Sequence, residues 1–355
     1  MKRKRQLLII IAVVLSLIII CFFTFFVATG LFIKPNNEEI TFLSAHNSTV
    51  AAVTDIGNVY VKGDVSHELR YGVDRFRQFL IRNSDTFVKI YDKNDAITVN
   101  LSEDGGCIIT KQSDVYVFIK NSSEKYQTPT YLCSGYNKAY LADDNIYLLN
   151  SNGEYGFISI EKPNVFNLLC KDVVDFDIEY SNSELYPYGI SFVLTKNNHL
   201  YVSDLKKAIN DTEAYIEDVA GFNSIAFCAD YLNDNKMKKY IEISIVNRKG
   251  EAFWYEGDLD ENYDRIVDQT NYVKVGNDVS IVSSYPRGCA MLDDKHQVSL
   301  YGYDFGHEDF ISGQILFYDV KNIFSSSSNL ILLYQNGDID YFGFNASTGS
   351  TRYFT

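Results

Sequence analysis

The chain has 355 residues and a formal charge of −14, with 46% hydrophobic residues, 27 Tyr and 24 Phe but only 5 Pro and 3 Met. That length can bury a substantial core, and the aromatic and β-branched excess favours strands over helices. The acidic balance excludes a nucleic-acid binder, which needs a positive footprint.

The chain begins MKRKRQ and runs straight into LLIIIAVVLSLIIICFFTFFVATGLFI, so residues 7–33 carry no charge. As a helix this stretch would be about 40 Å long, enough to cross a hydrocarbon core of about 30 Å with some tilt. The basic residues Lys2, Arg3, Lys4 and Arg5 then predict a cytoplasmic end at 1–6 and an extracytoplasmic remainder. A cleaved signal peptide is the alternative. However, Ala28-Thr29-Gly30 is a poor cleavage site, and cleavable apolar regions usually run to about 7–15 residues. A lipoprotein reading of Cys21 is disfavoured by Ile20, where a small residue is expected. The span has no GxxxG pattern to indicate helix dimerisation. Residues 34–39, KPNNEE, form a linker short enough to keep residues 40–355 close to the membrane. Removing the four basic residues takes the formal charge from −14 to −18, which keeps an exported domain soluble and could favour basic partners.

Residues 40–355 repeat one hairpin seven times: an apolar run, a short polar turn, then a second apolar or aromatic run. The copies are AAVTDIGNVYV (51–61), CIITKQSDVYV (107–117), AYLADDNIYLL (139–149), SFVLTKNNHLYV (191–202), ISIVNRKGEAFWY (243–255), CAMLDDKHQVSLY (289–301) and LILLYQNGDIDYF (330–342). Gly, Asn and Asp gather in the turns because they tolerate the positive φ of tight hairpins. The first apolar residues after the turns, Val59, Val115, Ile146, Leu200, Ala252, Val298 and Ile339, are separated by 56, 31, 54, 52, 46 and 41 residues. A unit of about that size suits a four-stranded propeller blade. The expected fold is therefore all-β, a seven-bladed β-propeller behind a single N-terminal transmembrane helix. The third unit is expected to be thin, and strands near both ends, ITFLS and STRYFT, are expected to close the ring.

Of the six cysteines Cys21 falls in the apolar span, and the other five show no CxxC or zinc-type spacing. Cys107 and Cys289 are expected at matching positions before two of the turns, with Cys133 and Cys228 on strands upstream. Core packing is the expectation for most of them.

The stretch GCAMLDDKHQVSLYGYDFGH (288–307) resembles the repeat of the regulator-of-chromosome-condensation family. Tyr301-Gly302-Tyr303-Asp304 is similar to that family's Trp-Gly-x-Asn, and Gly306 to its later glycine. Phe342-Gly343-Phe344-Asn345 is a fuller match and Lys62-Gly63-Asp64 a poorer one. The repeats at 115–121, 146–150 and 200–204 lack the glycine. The resemblance implies a seven-bladed propeller over nearly all of 40–355. The nuclear founder's nucleotide-exchange and chromatin roles do not carry over to an acidic chain behind a membrane anchor. The bacterial secreted members, which are protein-binding scaffolds, are the closer comparison.

No catalytic, cofactor-binding or metal-binding residue is assigned. His46, His67, His199, His296 and His307 are scattered, and GHEDF (306–310) is one short loop rather than a triad. GxSxG, SxxK and P-loop sequences are absent. Asp258, Asp260, Asn262 and Asp264 alternate like the start of a calcium loop. Yet Tyr263 stands where Gly is needed and Gln269 where the bidentate Glu should be, so a solvated acidic loop is favoured. Trp254 fits a blade core better than a binding hot spot. Asn47, Asn100, Asn121, Asn210 and Asn345 begin Asn-x-Ser/Thr triplets, which matter only if the source glycosylates. The leading expectation is an extracytoplasmic binding scaffold for a protein or cell-wall component, with recognition by loops on a rigid frame and no cofactor. An extracytoplasmic hydrolase or lyase acting on glycan or peptide is the alternative, signalled by channel carboxylates with raised pKa. A membrane-coupled sensor is a third.

Overall fold

A computed structural model describes residues 38–46, 49–63, 88–103, 105–119, 128–181, 188–209, 215–230, 237–258, 272–303, 310–326, 329–344 and 351–352. The expected membrane span at 7–33 lies outside these residues. Among the described residues no helix is long and apolar enough to cross a membrane.

The strands form seven four-stranded antiparallel sheets, each made of four strands consecutive in the chain. Blade 1 holds β1 (Ile40–His46), β2 (Thr49–Thr54), β3 (Val59–Gly63) and β4 (Val88–Tyr91). Blade 2 holds β5 (Ala96–Ser102), β6 (Gly105–Thr110), β7 (Asp114–Ile119) and β8 (Thr130–Ser134). Blade 3 holds β9 (Tyr136–Ala142), β10 (Asn145–Asn150), β11 (Tyr155–Ser159) and β12 (Lys162–Cys170). Blade 4 holds β13 (Val173–Ser181), β14 (Tyr188–Thr195), β15 (Leu200–Asp204) and β16 (Tyr215–Ile216). Blade 5 holds β17 (Val219–Asp230), β18 (Met237–Asn247), β19 (Ala252–Asp258) and β20 (Val273–Gly276). Blade 6 holds β21 (Val279–Tyr285), β22 (Gly288–Asp293), β23 (Val298–Tyr303) and β24 (Phe310–Phe317). Blade 7 holds β25 (Val320–Ser326), β26 (Asn329–Tyr334), β27 (Ile339–Phe344) and β28 (Thr351–Arg352).

One turn recurs between the second and third strand of every blade. The residue after its tip pair is left-handed: Gly57, Ser113, Gly153, Asn198, Gly250, His296 and Gly337, with φ between 61° and 87°. In each blade its N–H donates back across the turn, as from Gly57 to the Thr54 carbonyl and from His296 to the Asp293 carbonyl. This is why Gly and Asn collect there. The carbonyl of the same residue accepts an N–H from the first strand of the next blade. Gly57 receives Ala96, Gly153 receives Val173, Asn198 receives Val219, Gly250 receives Val279 and His296 receives Val320. The turn thus shapes its own hairpin and spaces the next blade.

That turn corrects the reading of the third repeat. The Asp144-Asn145 turn joins β9 to β10, the first pair of blade 3, whereas the equivalent of the other six is the Gly153 turn between β10 and β11. With Tyr155 as the marker, the separations of 31 and 54 become 40 and 45, so blade 3 is a full blade. For the same reason Cys133 lies on β8, the outer strand of blade 2, while Cys228 lies on the inner strand β17. Cys107 and Cys289 are both buried, as expected, but they are one register step apart. Cys107 pairs with Val117 and packs toward blade 3, whereas Cys289 pairs with Tyr301 and packs toward blade 5. A one-residue offset reverses the sheet face.

Each of the seven junctions between blades has its own apolar cluster, including the one that closes the ring. There Leu43, Val50 and Ala52 of blade 1 meet Ile331 and Leu333 of blade 7. Each fully buried Val, Leu or Ile contributes about 1.5–3 kcal/mol, so closure is a substantial interface. Phe42 sets its ring edge to Phe324 at 5.8 Å, and Lys321 pairs with Glu39 at 2.6 Å. The expected closing strands fall in separate sheets and do not pair: ITFLS supplies β1, the inner strand of blade 1, whereas Thr351–Arg352 of STRYFT form β28, the outer strand of blade 7. Side-chain packing closes the ring without a shared sheet.

Candidate functional site: the central channel

The first strand of every blade faces the ring axis, and together they line a cavity of about 270 Å³. All seven begin alike. An apolar residue enters the blade core, the next is bulged out of register, and pairing resumes one step later, as at Ala96/Thr98 and Val173/Asp175. After the bulge, residues alternate with the strand period of two. Val99, Ala139 and Phe176 are buried between blades, while Ser44, Asn100, Tyr140, Asp177, Asn223 and Phe324 are half-buried and line the channel.

Side-chain hydrogen bonds cross six of the seven junctions around this channel. Leu101 N–H donates to Ser44 Oγ (3.0 Å), and Asn100 Nδ2 donates to the Ala139 carbonyl (2.9 Å). Lys138 Nζ meets Asp175 Oδ1 (2.8 Å), and Ser224 Oγ donates to Asp177 Oδ2 (3.1 Å). Ser284 N–H donates to Asn223 Oδ1 (2.7 Å), and Ser283 Oγ donates to Ser325 Oγ (2.9 Å). At the seventh junction the channel contact is the ring pair of Phe42 and Phe324, and the side-chain hydrogen bond of that seam, from Lys321 to Glu39, lies on the face that carries the recurring turns. Ser325 Oγ also reaches Asn223 Oδ1 (2.9 Å), so that one amide oxygen links blades 5, 6 and 7. Asn223→Ala removes acceptors from a partly buried N–H and hydroxyl at once, and is expected to cost about 1–3 kcal/mol. A lowered urea midpoint at unchanged slope would show it, and an unchanged midpoint would contradict it.

The charge is concentrated on β13, which presents Asp175, Asp177 and Glu179 at alternate positions. Burial pushes the Asp177 carboxyl above its ordinary range, and the Lys138 ammonium opposes this. Burial pulls Lys138 down, but Asp175 and Asp177 outweigh it and hold the ammonium above its ordinary value. Burial pushes His46, also on the channel wall, down to about 4, so it is neutral at physiological pH. The channel therefore offers carboxylates, one ammonium, amides and hydroxyls, flanked by Phe42, Phe222 and Tyr180. Among the described residues no group of three or more His, Cys, Asp and Glu is placed to hold a metal ion.

Apart from Asn100, which begins an Asn-x-Ser triplet, none of these channel residues is picked out by a sequence motif. The available signal is VVDFDIEY, where carboxylates at alternate positions of an apolar strand mark a face that is neither core nor open surface. Of the residues singled out from sequence, His46 and Asn100 fall on the channel wall, and the other described ones lie elsewhere. Trp254 packs in the blade 5–6 core and aims its indole N–H at Glu242 (3.4 Å). His296 is exposed in its turn, and His199 stacks on Tyr215 at 3.9 Å. Asn100, half-buried on the channel wall, is unsuited to carry a glycan. Asn47, Asn121, Asn210 and Asn345 lie outside the described residues. So do residues 259–271, most of the candidate calcium loop, and 304–309, most of GHEDF.

No protein-family model matches the chain, and no curated protein matches it. Solved structures do. A chain of the mitotic checkpoint complex matches at 11% identity over 86% of this chain and 89% of that one, with a TM-score of 0.52. Prp20p from Saccharomyces cerevisiae matches at 14% identity over 80% of each chain, with a TM-score of 0.50. PorZ, a surface component of the type-IX secretion system of Porphyromonas gingivalis, matches at 8% identity over 90% of this chain, with a TM-score of 0.48. This chain spans about 38% of the PorZ chain. At 11–14% identity the first two matches show a shared propeller fold and nothing finer.

Proposed function

We propose that this propeller is a membrane-anchored extracytoplasmic scaffold that binds a protein or cell-wall component through loops on one face. We also propose that it is a degenerate member of the regulator-of-chromosome-condensation repeat propellers. One observation carries the scaffold reading: the two faces are built differently. One face, the turn face, holds the seven uniform turns of three or four residues and the short links between blades, such as 171–172 and 277–278. The opposite face receives the connections from third to fourth strand, which vary from two residues (160–161) to 24 (64–87) and 14 (259–272). Variation confined to one side of a rigid disc is how recognition loops are usually mounted.

Crosslinking the anchored protein in its native membrane, with mass spectrometry of what it captures, tests this. One dominant partner is expected, lost when 64–87 or 259–272 is replaced by a short turn and retained when the apolar segment is swapped. Capture that survives both loop replacements would overturn the reading.

The alternative, a hydrolase or lyase acting on glycan or peptide, is favoured by one feature. Asp177 is a channel carboxyl raised by burial beside Lys138, the kind of group general acid catalysis uses. Turnover of a wall glycan or peptide that Asp177→Asn abolishes would establish it.

A further inference from the structure

The route of the chain into β1 has a geometric consequence. Glu38 is fastened under the turn face of blade 1. Its carboxylate accepts hydrogen bonds from Thr54 Oγ1 (2.8 Å), Asn58 Nδ2 (3.1 Å) and Tyr60 OH (3.0 Å), and Lys89 lies 3.9 Å away. Burial pushes this carboxyl up, but the bonds from Asn58, Thr54 and Tyr60 and the Lys89 charge outweigh it and hold it below its ordinary value. Glu39 is held as well, accepting an N–H from Asp55 at its carbonyl and pairing with Lys321. The chain therefore enters the propeller at the turn face, at a fixed point.

From that point Ile33, the last residue of the apolar segment, is five residue steps away, a reach of at most about 18 Å. The seven-residue strand β1 is itself about 23 Å long, so the opposite face stands farther off than the tether can stretch.

We infer that the turn face looks toward the lipid bilayer and that the opposite face, with its long connections, is the one presented to an outside partner. The inference rests on the membrane-anchored reading above and adds to it which face is available. Exposed apolar side chains agree. Ile56, Ile97, Val174 and Tyr318, each at least 42% exposed, sit on the turn face in turns, bulges and inter-blade links. The acidic residues of the same face include Asp172, Asp218 and Glu39, and these are paired with Lys196, Arg248 and Lys321, which limits repulsion from anionic headgroups. The tether, rather than these side chains, sets the orientation.

The test uses the full chain in phosphatidylcholine vesicles containing headgroup-nitroxide lipid. One fluorophore is attached through a noncanonical residue at exposed Lys249 or Lys295 on the turn face, or at exposed Asp144 or Glu161 on the opposite face. Nitroxide is expected to quench the first pair at least twofold more than the second. A flexible insert of about 30 residues between Asn36 and Asn37, with a root-mean-square reach of about 30 Å, is expected to erase the difference. Equal or reversed quenching in carbonate-resistant protein would overturn the inference alone. Release of the protein by carbonate would overturn the anchor reading, and the inference with it.

Discussion

Replacing Glu242 by Ala is expected to destabilise the propeller by about 3 kcal/mol. Glu242 lies on β18 with its side chain fully buried at the junction of blades 5 and 6. One carboxylate oxygen accepts the Arg287 N–H, while the other accepts the Gly288 N–H (3.2 Å) and the Trp254 indole N–H (3.4 Å). Truncation leaves buried backbone donors in the link between β21 and β22 without acceptors, and that desolvation cost dominates the effect. Burial raises the carboxyl well above its ordinary range, with cross-strand Glu256 adding to the shift and the Arg287 and Gly288 amides opposing it. Between the unfolded value, about 4.3, and the raised folded value, the folded state holds more protons than the unfolded chain. The contribution of Glu242 is therefore full below about pH 4.3 and declines by about 1.4 kcal/mol per pH unit as pH rises toward the folded value. Glu242→Gln cannot ionise. Its stability relative to wild type is expected to improve steadily from pH 4 upward, read from urea midpoints. Parallel pH profiles for the two proteins would contradict this account.

Gly302→Ala is expected to cost about 2–4 kcal/mol. Gly302 on β23 has φ +120° and stands opposite Gly288 of β22. A Cβ on Gly302 would come within 2.3 Å of the Arg287 carbonyl oxygen and 2.4 Å of Gly288 Cα, both backbone atoms that cannot swing aside. Gly313 is the control. Its φ is also positive, at +65°, but a Cβ there meets nothing within 4 Å, so Gly313→Ala is expected to cost only about 1 kcal/mol of backbone strain. Equal losses at the two sites, measured by thermal or urea unfolding, would remove close approach as the cause. Both large predictions meet at Arg287-Gly288, where the buried acid of blade 5 and the paired glycines of blade 6 hold one short link.

The glycine shared by the three family-like matches in the sequence thus has a local explanation. Gly302, Gly63 and Gly343 each stand at or next to the end of a third strand, where it pairs with the first residue of the second. The fold was legible because hairpin turns advertise themselves through residues that accept positive φ, and each blade contains one. Blade 3 was misaligned because it advertises twice: Asp143 and Asp144 are also left-handed, at 48° and 54°, so the β9–β10 turn carried the same signal as the Gly153 turn. A second repeat was present but unmarked. An acidic residue precedes the inner strand in six blades, at Glu39, Asp95, Asp172, Asp218, Asp278 and Asp319, and is followed by Ile, Ala or Val. Asp and Glu before an apolar residue are too common to stand out until the ring shows that they fall at one place. The channel was hidden for another reason. Asp175, Asp177 and Glu179 alternate with Phe176 and Ile178 as on any half-exposed strand, and period two does not distinguish an outer surface from a channel wall.

The fastening at Glu38 also bears on mechanics. A pull on the chain ahead of the propeller meets the four-partner clamp on Glu38 first and the Glu39–Lys321 pair next. Beyond them, the load runs along the axis of β1, whose ladder with β2 extends from Ile40–Thr54 to His46–Thr49. Loaded lengthwise, such a ladder shears, with its rungs sharing the force, whereas a ladder pulled sideways peels one rung at a time. The seam between blades 7 and 1 is the only junction where the first and last blades meet, yet the N-terminal pull reaches it in the direction that the sheet resists best.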